Sequence, residues 1–175
     1  MTPQRDEQGR ARLTRHVHAP ASALWASLAD GWLYASWVVG ASRVRSVDLA
    51  WPAVASRIQH SFGLWPVVID DESMVLEAVP EHLLILQAKG WPLGEARVEL
   101  RITEAGPGAC EVSIVEDAVK GPGTVVPRRV RQSAIAVRNH EALRRLALIA
   151  EGRHHEDGRR ALEGPPHSSR RSRHG

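Results

Sequence analysis

From Arg43 to Ala118 the chain is written largely in a two-residue rhythm, and that rhythm limits the fold more than any other feature. Ala96, Val98, Leu100 and Ile102 alternate with Arg97, Glu99, Arg101 and Thr103. Successive side chains of a strand point to opposite faces, so this segment reads as a strand with one apolar and one wet face. Ser56 to Leu64 repeats the pattern, with Ile58, His60, Phe62 and Leu64 in one phase and Arg57, Gln59 and Ser61 in the other. Cys110 to Ala118 sets Val112, Ile114, Glu116 and Ala118 in phase. Arg43 to Leu49 is a shorter candidate, and His82 to Gly90, which carries Leu84 and Leu86, is mostly apolar. Val67 to Asp71 and Met74 to Val79 read as one strand with a bend or turn at Asp70–Ser73. The joins, such as Ala105-Gly106-Pro107-Gly108, are too short for crossover helices, so the strands form an antiparallel meander.

The two ends follow other rules. Arg10 to Ala19 reads as a first strand, halted by Pro20. Ala21–Ala29 and Trp32–Val39 then read as two short helices, the second closed by Gly40. At the far end, Pro127 to Glu151 has helical spacing: Ile135, Asn139, Ala142, Leu143, Leu146 and Ile149 share a stripe bordered by Arg131, Arg138 and Arg145. Gly152 is expected to end it. The fold class is therefore α+β: a curved antiparallel sheet of about seven strands around a long C-terminal helix, with two short helices after the first strand.

At 175 residues the chain suits one domain. We expect residues 1–9 to be a disordered leader, 10–152 the domain and 153–175 a disordered basic tail rich in Arg, His, Pro and Gly. The tail has no interleaved aromatics, so nucleic acid is not an expected partner. Cys110 has no partner cysteine, no apolar run approaches a membrane span, and the charged N-terminus is unlike a signal peptide, so a cytoplasmic location is expected. No cofactor or metal is expected. His154-His155 with Glu156 and Asp157 lies in the tail without supporting groups, and Gly121-Pro122-Gly123 is not a phosphate loop but reads as a hinge before the long helix. Oligomeric state is not legible.

A sheet of seven strands is wider than the one helix, about 35 Å long and 10 Å thick, that covers it. The remaining apolar volume must be closed by the short helices and loops or left to a guest. Six Trp against one Phe and one Tyr point the same way, since indole rings suit cavity walls as well as cores. Most fall at element edges: Trp25, Trp37, Trp51, Trp65 and Trp91. The expected pocket lining is Ile58, His60 and Phe62, then Leu84 and Leu86, then Val98 and Leu100. Val112, Ile114 and Glu116 follow from the last strand, with Trp37, Ile135 and Asn139 from helices.

The opening "HVHAPASALWASLAD", the stretch "EDAVKGPGTVVP" and the helix "RNHEALRRLALIAEGR" resemble the helix-grip superfamily that groups START, polyketide cyclase and Bet v 1-like proteins, over about residues 10–152. The resemblance implies binding of a hydrophobic small molecule, such as a lipid, polyketide or aromatic metabolite, inside the grip. Some such proteins cyclise or dehydrate polyketides, but no catalytic residue set is shared across the superfamily.

Three polar residues stand in apolar phase: His60, Glu116 and Asn139. A buried carboxyl has a raised pKa, histidine shuttles protons, and an amide can hold a developing enolate oxygen, so the three could support aldol-type cyclisation or dehydration. Each also has a structural reading. His60 could be a satisfied histidine, Glu116 could be exposed or paired with an Arg such as Arg131, and Asn139 could cap a loop carbonyl.

Overall fold

A computed structural model describes residues 4–5, 11–64, 66–90, 94–120 and 128–163. The strands are β1 (Gln4–Arg5), β2 (Ala11–Val17), β3 (Ala41–Val47), β4 (Arg57–Leu64), β5 (Val67–Val79), β6 (Leu83–Gly90), β7 (Gly94–Glu104) and β8 (Cys110–Lys120). The helices are α1 (Ala21–Ala29), α2 (Tyr34–Trp37) and α3 (Arg128–Glu163). The strands form one antiparallel sheet in the order β1-β2-β8-β7-β6-β5-β4-β3, so the first long strand closes against the last and the rest meander. The antiparallel sheet with a long final helix is the expected class, and the two-residue β1 adds one strand at the edge.

Three local expectations are corrected. The acidic run Asp70–Ser73 is no turn, because β5 runs straight through it. Its polar side chains are met across the sheet: Ser61 Oγ donates to Asp70, and Arg57 and Lys89 both pair with Glu72 at 3.1 Å. The second helix is short and divided, a 3-10 turn at Gly31–Leu33 followed by α2. Gly152 does not end α3, which continues to Glu163 through both Gly152 and Gly158. One exposed glycine in a helix costs about 1 kcal/mol, too little to stop a run in which Arg, His, Glu, Ala and Leu predominate. Half of the expected tail is thus helix, and residues 164–175 lie outside the described residues.

The inner face of the sheet is apolar. Leu84, Leu86, Leu100, Val112 and Ile114 are all at most 2% exposed and join Leu24, Leu28, Trp37 and Leu146 in one core. α3 packs mainly on β2, α1 and α2 and more lightly on β8. It therefore lies along the β2–β8 side, anchored by Ala142, Leu143, Leu146, Ala147 and Ala150. The outer face is not uniformly wet: Leu83, Ile85 and Val115 are also buried there, beside a Glu99–Arg101 ion pair.

Candidate functional site

With α3 on one side, the inner faces of β4 and β5 are met by α2. Burial alternates from Arg57 to His60 and from Asp70 to Val75, placing Ile58 and His60 of β4 and Asp71, Ser73 and Val75 of β5 inward. His60 pairs with Asp71 and Ile58 with Ser73 in the sheet register. Tyr34 of α2 comes down onto this patch, its ring tilted over the His60 imidazole with centroids 4.9 Å apart. Its hydroxyl is 2.6 Å from Ser73 Oγ, which lies 3.2 Å from His60 Nε2. Trp37, one turn on, packs edge-on against Tyr34 at 5.5 Å. All four are buried, and His60 Nδ1 has no hydrogen-bond partner among the described residues.

The electrostatics follow from that burial. Desolvation pushes the Tyr34 phenol up to about 12, so it keeps its proton. Desolvation, helped by the Arg45 guanidinium, holds His60 at about 4, so the imidazole is neutral near pH 7 and a weak proton acceptor. The Asp71 carboxyl is raised, chiefly by burial and against a backbone N–H bond from Glu72.

A second polar pair lies on the other flank. Glu116 of β8 is 5% exposed and accepts from Arg138 of α3, while the side chain of Arg131 lies outside the described residues. The charges of this pair are felt at Tyr34, though far less than its burial is. Asn139, next to Arg138, is buried on α3. His60, Glu116 and Asn139 thus all lie inside the molecule. They do not form one hydrogen-bonded group among the described residues: β4 and β8 are four places apart in the sheet, His60 is joined to Ser73 and Glu116 to Arg138.

Of the apolar lining expected, Trp37, Ile58, Leu84, Leu86, Leu100, Val112 and Ile114 are buried, whereas Phe62, Val98 and Ile135 are half-buried. Phe62 is spent on a local contact, its ring packed so close on Gly40 that a Cβ there would fall 2.4 Å from it. Trp51 fastens to α1 through Nε1–H donating to the Leu28 carbonyl, and Trp32 is 61% exposed. Trp65, Trp91 and the expected hinge Gly121-Pro122-Gly123 lie outside the described residues. A cleft of about 310 Å³ opens between β2 and α3, lined by Leu13, Thr14, Arg15, His16, His140 and Leu143, and shares no residue with the expected lining.

Sequence reading missed Tyr34, Ser73, Asp71 and Arg138 as members of these groups. The signal for Ser73 and Asp71 was their phase with Val75. It was masked because four consecutive polar residues resemble a turn. Tyr34 carried no periodic signal, since α2 is a single turn.

No family model matches the sequence, and no curated protein does. Solved structures do match. A Nitrosomonas europaea protein is 17% identical with a TM-score of 0.63, over 87% of this chain and 99% of its own. The di-domain ARO/CYC StfQ of the steffimycin biosynthetic pathway is 12% identical with a TM-score of 0.63, over 81% of this chain and 50% of its own. Ara h 8.0201, a Bet v 1 allergen, is 12% identical with a TM-score of 0.57, over 83% of this chain and 96% of its own. At such identities the likeness is one of fold: this chain has the helix-grip fold, the architecture of StfQ and of the Bet v 1 allergen.

Proposed function

We propose that this protein binds a hydrophobic small molecule, a lipid, polyketide or aromatic metabolite, between the inner face of the sheet and α3. The observation that supports it is an apolar inner wall with a buried polar end. Leu84, Leu86, Leu100, Val112 and Ile114 form the wall, and Tyr34, Ser73 and His60 sit at one end of it. Such a division, mostly apolar with a few placed polar groups, is what small-molecule sites use for affinity and orientation. Native mass spectrometry of protein purified from its own host should detect a co-purified apolar species. The apolar dye 1-N-phenylnaphthylamine should bind saturably and be displaced by that species. A clean apo mass together with no saturable dye response would end this reading.

The alternative is polyketide cyclisation or dehydration by general acid/base catalysis on a bound poly-ketone. Its support is the inward polar group His60, Ser73, Tyr34 and Asp71, with Glu116 and Asn139 across the interior. Two features weigh against it. Glu116 is engaged by Arg138, and His60, held at about 4, is a poor base at neutral pH. Binding is the better-supported function.

A further inference from the structure

The chain Tyr34–Ser73–His60 can run in two directions, and counting its buried groups separates them. If His60 Nε2–H donates to Ser73 and Ser73 to Tyr34, the phenol O–H is left without an acceptor. His60 Nδ1 is then a bare acceptor as well, so two strong groups are unmet. If Tyr34 donates to Ser73 and Ser73 donates to Nε2, the phenol and the serine hydroxyl are both used, and only Nδ1–H is left over. Each buried unmet polar group is costly, so the second direction is favoured. It fixes the neutral imidazole as the Nδ1–H tautomer, with its donor buried and unpaired in a residue only 2% exposed.

Among the described residues nothing takes up that donor. The Asp71 Oδ1 atom accepts from the Glu72 backbone N–H, the Arg45 guanidinium is a donor itself, and the Tyr34 ring covers the imidazole face. A buried polar group without a protein partner needs one from elsewhere, an ordered water or a polar atom of a ligand. We infer that His60 Nδ1–H is the polar anchor of the ligand, donating to a keto or hydroxyl oxygen on an otherwise apolar guest. This deepens the binding reading above and rests on it. An apolar guest without oxygen would still enter the wall of leucines, but would leave the donor unmet.

The test compares 1-tetralone with tetralin, which differ by a carbonyl in place of a methylene. Binding is read by quenching of the intrinsic tryptophan fluorescence. The unaltered protein should bind 1-tetralone about five- to tenfold more tightly, the worth of one hydrogen bond to a neutral acceptor. His60→Phe should lose the preference for 1-tetralone and bind the two equally. Equal binding by the unaltered protein would overturn the anchor while leaving the binding reading intact. Binding of neither would count against the binding reading and carry the anchor with it. Should His60→Phe fail to fold, nitrogen-15 spectra of the unaltered protein decide. The anchor requires an Nδ1–H tautomer whose Nδ1 signal moves with 1-tetralone and not with tetralin. An Nε2–H tautomer, or an unmoved signal, overturns it.

Discussion

His60 shows how burial alone changes what a residue can do. An unfolded histidine titrates near 6.5, whereas folded His60 is held at about 4. Between these values the unfolded chain takes up a proton that the native protein refuses, so acid favours unfolding. Above 6.5 both states are neutral and the native state has its full margin. As pH falls from 6.5 toward 4, roughly 3 kcal/mol of that margin is lost. Asp71 works in the opposite sense: its raised pKa stabilises the native state at low pH and loses effect as pH rises. Urea unfolding of the unaltered protein and of His60→Phe, compared between about pH 4 and 7, isolates the histidine contribution. The stability difference between the two should shift toward the variant as pH falls; parallel pH profiles would contradict this. His60 was legible as an inward residue from its two-residue phase with Ile58 and Phe62. Its low proton affinity was not, because that comes from burial in the folded interior and from the Arg45 guanidinium, 15 positions away in the chain.

At the scale of elements, α3 is the piece whose placement determines the rest. The stripe Asn139, Ala142, Leu143 and Leu146 was readable from helical spacing, and all four residues are buried. Leu146 is fully buried against the core while Leu148, two positions on, is 51% exposed. Leu146→Ala should therefore cost about 2–5 kcal/mol in urea unfolding, and Leu148→Ala should stay within about 0.5 kcal/mol. Similar losses for both would mean that the helix is rotated from the orientation described. The Glu116–Arg138 pair joins α3 to β8 at a side chain about a third exposed on the arginine side. Its removal by Glu116→Gln should cost about 1–3 kcal/mol, less than for a fully buried pair, because water still screens the guanidinium. An unchanged midpoint would show that the pair is idle. Asp70–Ser73 and Gly152 were misread for one reason: local propensity is worth at most about 1 kcal/mol per residue, and cross-strand ion pairs or helical continuity outweigh it.

For the whole molecule, the described part of α3 beyond Gly152 is exposed at every residue. Among the described residues the last long-range ties are Glu151, which accepts from the His18 backbone N–H, and Arg153, which pairs with Asp30 at 3.1 Å. A chain ending at His154 should then unfold at the same urea midpoint, within about 0.5 kcal/mol. A loss above about 1 kcal/mol would show that residues after His154 pack on the domain.

The order of elements, the antiparallel pairing and the apolar inner face were set by the sequence itself, because two-residue and helical periods need only neighbours in the chain to be read. Which side of the sheet α3 covers, that α2 brings Tyr34 onto His60 and Ser73, and that Glu116 answers to Arg138 were decided by the tertiary structure. Those contacts join residues 13 to 39 positions apart. Their energy depends on distance and burial in three dimensions, and no local pattern of side chains encodes either.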